Sequence, residues 1–344
     1  MMHLIKNEWR KLTLKRSFIV YLITIVALLT FVAFMTQLTN DLDTPVQNQE
    51  GEIVESESLP KNTPIYGHNQ EGKPFTTVDS TIDYLNEQKE NFAENEDALK
   101  QINTQLDYFE AYQKADVTPI TKGNGTVSLG AFFSSIGDMS MIVNFLAVIA
   151  ASIIMAAEFG DGTIKLLLTR PYKRSQILLS KYMTVILLSV LLTAFTLVAT
   201  LIVGAIFFPI QSLMLPGQVS LGATPALISA FQLAGTNLLA MLTYVTISLM
   251  ISSIFRSQAM AVGLGVGMIF SGSLVNMFIA DMIPKYPILK WTIFNLLDIN
   301  NFATNNPIAG DLSFVQVAIG LLVYIIIIYL VTNFIFKKRD VALT

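Results

Sequence analysis

At 344 residues, 53% of them hydrophobic and only 14% charged, the chain is too apolar for a soluble domain, and its apolar residues gather into bilayer-length runs of about 20. The absence of cysteine excludes a disulfide-stapled domain and Cys-based metal or redox sites. The net charge of -3 hides a separation of charge by membrane side, and that same topology puts His3 and His68 on opposite sides, so no His-based metal site is expected.

Residues 1–17 place Leu4, Ile5, Trp9 and Leu12 on one helical face, with Lys6, Arg10, Lys11 and Lys15 to its sides and opposite. This suits a cytoplasmic helix lying in the inner membrane interface. Residues 18–38 form the first span. A signal peptide also starts with basic residues ahead of an apolar run, but this run exceeds the ~7–15 residues of such a core and no small-x-small cleavage site follows. It is read as a retained membrane helix.

Residues 39–137 break the composition, with six lysines against seventeen acids, and are read as an extracytoplasmic, mainly helical domain. Two copies of one tetrapeptide, Asn48-Gln49-Glu50-Gly51 and Asn69-Gln70-Glu71-Gly72, suit two hairpin turns and a disordered linker equally well. Further on, Leu85, Phe92, Leu99 and Leu106 recur at seven-residue spacing, with Ile102 and Phe109 beside the last two. That spacing predicts one long amphipathic helix packed in a hairpin or against a partner.

Five further spans follow at 139–157, 183–208, 227–255, 259–280 and 312–336, giving an all-α membrane protein with six transmembrane helices. The loop at 281–311 is too apolar to be exposed and too short to cross, so a re-entrant or interfacial helical piece is expected there. Residues 337–344 form a basic tail. With both termini cytoplasmic, the inner segments hold fourteen Lys and Arg against four acids and the outer ones eight against twenty-one, in line with the positive-inside rule. Within these boundaries no span contains Asp, Glu, Lys or Arg, which speaks against an ion-coupled transporter. Gly263 and Gly267 form a small-xxx-small pair suited to helix packing. The amides of Gln232, Asn237, Asn276 and Gln316 are read as interhelical hydrogen bonders.

The segment 158–181, EFGDGTIKLLLTRPYKRSQILLSK, is charged and punctuated by Gly and Pro, and it separates the second span from the third. It opens on Glu158 and a Gly-Asp-Gly turn signal, runs through a short apolar piece, stops at Arg170-Pro171 and resumes as a second short amphipathic piece. Glu158, Phe159, Gly162, Thr163, Ile164, Leu167, Leu168, Pro171, Arg174, Ile177, Leu178 and Lys181 follow the order of the intracellular loop of ABC-2 type exporter permeases, which the chain resembles over its membrane part. In that family the loop is a coupling helix seated in a cleft of a separate ATPase subunit. The resemblance therefore implies ATPase coupling by Glu158, Gly162, Thr163, Arg170, Pro171, Arg174 and Lys181.

The chain has no P-loop, so ATP and Mg would be bound by the partner ATPase, with no cofactor, catalytic residue or metal in this chain. A six-span permease is half a translocation path in that family, which implies a second permease, as a homodimer or heterodimer, in the cell membrane; nothing points to nucleic acid. The large insertion and the loop look most like those of Gram-positive permeases for cytolytic or antimicrobial peptides, of the phenol-soluble modulin exporter kind, so an amphipathic peptide is the expected cargo. The rival readings are a non-transporting peptide sensor or immunity protein, a secondary transporter, and an exporter of this type for sodium, a lipid-linked glycan or a drug.

Overall fold

The computed structural model describes residues 2–40, 46–47, 53–54, 63–69, 71–122, 125–136, 140–160, 162–163, 172–255 and 257–338. In chain order its helices are α1 (Met2–Thr13), α2 (Arg16–Asn40), α3 (Val78–Asn91), α4 (Glu96–Lys114), α5 (Leu129–Ser134), α6 (Ser140–Gly160), α7 (Arg174–Phe207), α8 (Ala226–Ile254), α9 (Gln258–Met282), α10 (Ile293–Leu296) and α11 (Phe314–Lys338). Three two-residue antiparallel strand pairs accompany them: β1 (Val46–Gln47) with β2 (Ile53–Val54), β3 (Gly67–His68) with β4 (Pro74–Phe75), and β5 (Thr121–Lys122) with β6 (Gly125–Thr126). Among the described residues, α2, α6, α7, α8, α9 and α11 are long and apolar enough to cross a membrane. Ile19, Ile23 and Phe34 of α2 and Ile326, Ile327 and Phe334 of α11 are exposed, as lipid-facing positions would be.

The observed helices match the expected spans except around the second and third. There α6 runs on to Gly160 and α7 begins already at Arg174, so Glu158 and Lys181 lie within helices instead of in a loop. No Gly or Pro interrupts residues 172–203, so nothing separates the short amphipathic piece from the apolar run behind it. The charge-free spans of the sequence reading are thus shorter than the real helices.

The chain divides into two compact units. The first comprises residues 1–25, 138–196 and 233–344. In it α6 packs on α8 through hydroxyls and amides. Ser152 and Ser248 hydroxyls meet at 2.6 Å, Ser252 donates to the Ser152 carbonyl at 2.5 Å, and Asn144 Nδ2 donates to Asn237 Oδ1 at 3.0 Å. Such bonds suit helices in lipid, where apolar burial gives no driving force for association. The close approach of α9 falls at Gly265, where an added Cβ would lie 2.8 Å from Ser152 Oγ and 3.0 Å from Ser248 Oγ. Gly263 and Gly267, the expected packing pair, lie on the exposed side of α9 with nothing within 4 Å of a Cβ.

Between α9 and α11 the chain folds into 3-10 turns at Pro287–Trp291 and Leu297–Thr304 flanking α10, so the expected helical piece is present as three short segments. Asn295, fully buried, pins them by donating to the carbonyls of Lys290 and Ala309. Leu296, Leu297 and Ile299 share an apolar cluster with Ala240, Val317 and Leu321. The other amides act differently: Asn276 donates to Asp298, Gln316 accepts from the Ser313 amide, and Gln232 is exposed.

The second unit comprises residues 26–137 and 197–232. β1 pairs with β2 and β3 with β4 on either side of the tetrapeptide repeats; the first repeat itself lies outside the described residues, and at the second the hairpin alternative holds over the linker. In the second, Asn69 Oδ1 accepts from the amides of Glu71 and Lys73, and Gly72 takes a φ of 84°, a conformation natural to glycine. The expected long helix is two, α3 and α4, broken at 92–95, where Asn95 caps α4 by accepting from the Ala98 amide. Phe92, expected in the apolar seam, caps the end of α3 and is 39% exposed.

The hairpin encloses Ile82, Leu85, Leu106, Tyr108, Phe109 and Tyr112, joined by Leu215 and Val219 of the segment after α7. Tyr112 donates from its hydroxyl to the Pro216 carbonyl at 2.8 Å, and burial beside Tyr108 raises its pKa.

Gly265→Ala is expected to lower the thermal stability of the detergent-solubilised protein by about 1–3 kcal/mol through overpacking against Ser152 and Ser248. Gly263→Ala and Gly267→Ala should leave it unchanged or raise it by up to about 1 kcal/mol each, since alanine favours the helix. A melting series over the three variants checks the assignment.

Candidate functional site

Glu158 and Lys181, the first and last residues of segment 158–181, come together at one end of the first unit, where α6 ends and α7 begins. Gly162, with φ 69°, reverses the chain after α6, a conformation in which a side chain would be strained. The reversal brings the Thr163 hydroxyl back onto Glu158 Oε2. The other oxygen of Glu158, Oε1, accepts from Lys181 Nζ at 3.0 Å and Lys11 Nζ at 2.5 Å. Lys181 also donates to Glu8 Oε2 at 2.9 Å and to the Ile154 carbonyl at 3.2 Å, giving its three N–H groups three acceptors.

Glu158 is 3% exposed and Lys181 fully buried. Taking such charges out of water is costly, and the loss is offset only when each is paired and hydrogen-bonded. Here the requirement is met by two carboxylates and two ammonium groups with no net charge. The arrangement joins α1, α6 and α7 as an ionic clasp. Glu158 and Lys181, two of the residues expected to take part in ATPase coupling, are therefore interior, and their hydrogen bonds run to this chain.

Arg174 opens α7, and its guanidinium donates to the Lys337 carbonyl at 3.2 Å, near the end of α11. Gln176 Oε1 accepts from the Lys173 amide at 3.1 Å, half of a capping box at the start of α7. Ile177 and Leu178 are buried, Leu178 in a cluster with Met155, Tyr182, Leu249 and Phe336. Arg170 and Pro171, with Ile164, Leu167 and Leu168, lie outside the described residues. Among the described residues no group of three or more His, Cys, Asp or Glu side chains gathers as a metal site.

Two members of the clasp were missed from the sequence. Glu8 is the sole acid in the first 40 residues, set in a helix otherwise basic, and Lys11 follows it by three. An isolated acid in a basic amphipathic helix is the signal that marks it.

Lys181→Met leaves the buried Glu158 and the half-buried Glu8 short of a cation and should lower stability in detergent by about 3–5 kcal/mol, as loss of one buried partner does. Lys181→Met combined with Glu158→Leu should recover much of that loss. A double-mutant cycle read by thermal unfolding checks both values.

The sequence comparisons agree with the membrane character. The chain is 29% identical over 220 residues to "Uncharacterized protein YhcI" of Bacillus subtilis (strain 168), covering 62% of this chain and 69% of that protein. It is 25% identical over 211 residues to "Uncharacterized membrane protein YdbK" of the same organism, covering 61% and 82%. A family model described as "Protein of unknown function (DUF2705)" matches residues 103–342, a stretch that holds five of the six long apolar helices together with Glu158 and Lys181. On that match the chain belongs to the DUF2705 family of proteins.

Proposed function

We propose that this protein is the membrane permease subunit of an ATP-driven exporter of ABC-2 type, driven by a separate ATPase chain that binds ATP and Mg. The observation that carries the reading is the clasp at the two ends of segment 158–181. Glu158 stands at its entry and Lys181 at its exit, 3.0 Å apart through their charged atoms, so a push on the residues between them is delivered to α6, α7 and α1 together. In this reading the ATPase contacts fall to Arg170, Pro171 and Arg174, while Glu158, Thr163 and Lys181 hold the loop's base and Gly162 shapes it. A cationic side chain at Arg170 or Arg174 can pair with acids on the ATPase.

A second permease, identical or different, completes the path. The cargo is an amphipathic peptide: the spans offer apolar and aromatic surface, and residues 40–137, with six lysines against seventeen acids, attract cationic peptides in a salt-sensitive way. In this reading both termini and segment 158–181 are cytoplasmic in a multi-pass cell-membrane protein, an orientation that the basic segments support.

Arg170→Ala with Arg174→Ala should leave the protein in the membrane at parental level and abolish its stimulation of ATP hydrolysis by the ATPase that co-purifies with the parent. Undiminished stimulation, or co-purification of no ATPase with the parent, overturns the permease reading in favour of a non-transporting sensor. For the orientation, Gln49→Cys, Gln218→Cys and Asn305→Cys in this cysteine-free chain should react with an impermeant thiol reagent on intact cells. Lys173→Cys and Val341→Cys should not, and labelling of residue 173 from outside reverses the topology.

A further inference from the structure

We propose that the cleft enclosed by α1, the first turns of α2 and the last turns of α6 binds the headgroup of an anionic phospholipid bearing one phosphodiester charge. The cleft has a volume of about 120 Å³ and adjoins the clasp on the side where α2 begins. Its walls divide by chemistry. Ala150, Ile153, Ile154 and Ala157 fall at positions i, i+3, i+4 and i+7 and make an apolar stripe on α6. Facing it are Lys15, just before α2, and the hydroxyls of Ser17 and Tyr21, one turn apart on a single face of α2.

Charge decides the ligand. Glu8 and Glu158, which also line the cleft, are both engaged by Lys181, and Glu158 by Lys11 as well, so these four cancel. Lys15 remains, and among the described residues its ammonium group has no acid within ion-pair distance and no hydrogen bond, just as the hydroxyls of Ser17 and Tyr21 have no hydrogen-bond partner. One surplus cation and two hydroxyl donors suit a phosphate monoanion, and the apolar stripe of α6 provides a bed for an acyl chain.

The position is also that of a headgroup. The cleft lies where the chain changes from Lys15 and Arg16 to the apolar run from Phe18, and α1 is an amphipathic helix of the interfacial kind, with Leu4 its one buried residue. A lipid held there would tie α1 to α6 alongside the clasp. The proposal stands apart from the exporter reading.

The test uses the full chain purified in detergent, with native mass spectrometry and thermal melting in phosphatidylglycerol, phosphatidylcholine or inorganic phosphate. Phosphatidylglycerol should be retained in preference to phosphatidylcholine and should raise the melting temperature. Lys15→Gln should reduce its retention about fivefold, the contribution of one basic residue near an anionic surface, and Lys15→Arg should restore it. Tyr21→Phe should reduce it in the same direction. Lys15 is exposed, so its variants should melt like the parent when no lipid is added. Equal retention of the two lipids, retention unaffected by Lys15→Gln, or complete displacement by millimolar inorganic phosphate overturns the proposal.

Discussion

One buried ammonium group organises the end of the helix bundle from which segment 158–181 emerges. Lys181 sits fully inside the first unit with an acceptor for each of its protons, and those acceptors come from α1 and α6. Because a buried charge tolerates no missing partner, the three helices are held in register more strictly than apolar contact alone would require. Gly162 is part of the same constraint, since its left-handed turn is what returns Thr163 to Glu158. A charge network of this kind resists small displacements and responds to larger ones as a whole.

The two units use different chemistry to hold together. In the first, serine hydroxyls and asparagine amides line the contact of α6 with α8, and Gly265 lets α9 approach. Small polar residues of this kind serve where the surrounding solvent is as apolar as the side chains. In the second, the α3–α4 hairpin closes over Tyr108, Phe109 and Tyr112 and turns its charged residues outward, as in a water-soluble domain.

The six long apolar helices could be read from the sequence because a run of apolar residues needs no tertiary context to be recognised. The charge asymmetry and the order of residues in 158–181 were equally plain. What could not be read were the partners. Glu8 lies 173 residues from Lys181 along the chain, and nothing local signals that the two meet. The glycine stripe was read at Gly263 and Gly267 because spacing identifies a face without saying which face is turned inward, and Gly265 packs instead. The heptad pattern in 85–109 ran across a helix break because the two helices of a hairpin keep one apolar seam, while the break rests on the single cap at Asn95. The tetrapeptide repeats were ambiguous until their flanking strands were seen to pair.

The bond from Tyr112 to the Pro216 carbonyl bears on how the protein can be cut and rebuilt. In sequence, residues 39–137 look like a cassette inserted between two membrane helices, removable by joining its ends. In space, Leu215 and Val219 complete the hairpin's apolar core and Gln211 donates to the Thr118 carbonyl, so the segment between α7 and α8 belongs to the same folding unit. Excising the cassette would strip the cover from those leucine and valine side chains and leave the Pro216 carbonyl without its donor. A truncation designed to isolate the six helices would therefore have to redesign the 209–225 segment as well, and a transplant of the hairpin onto another scaffold would have to carry that segment with it.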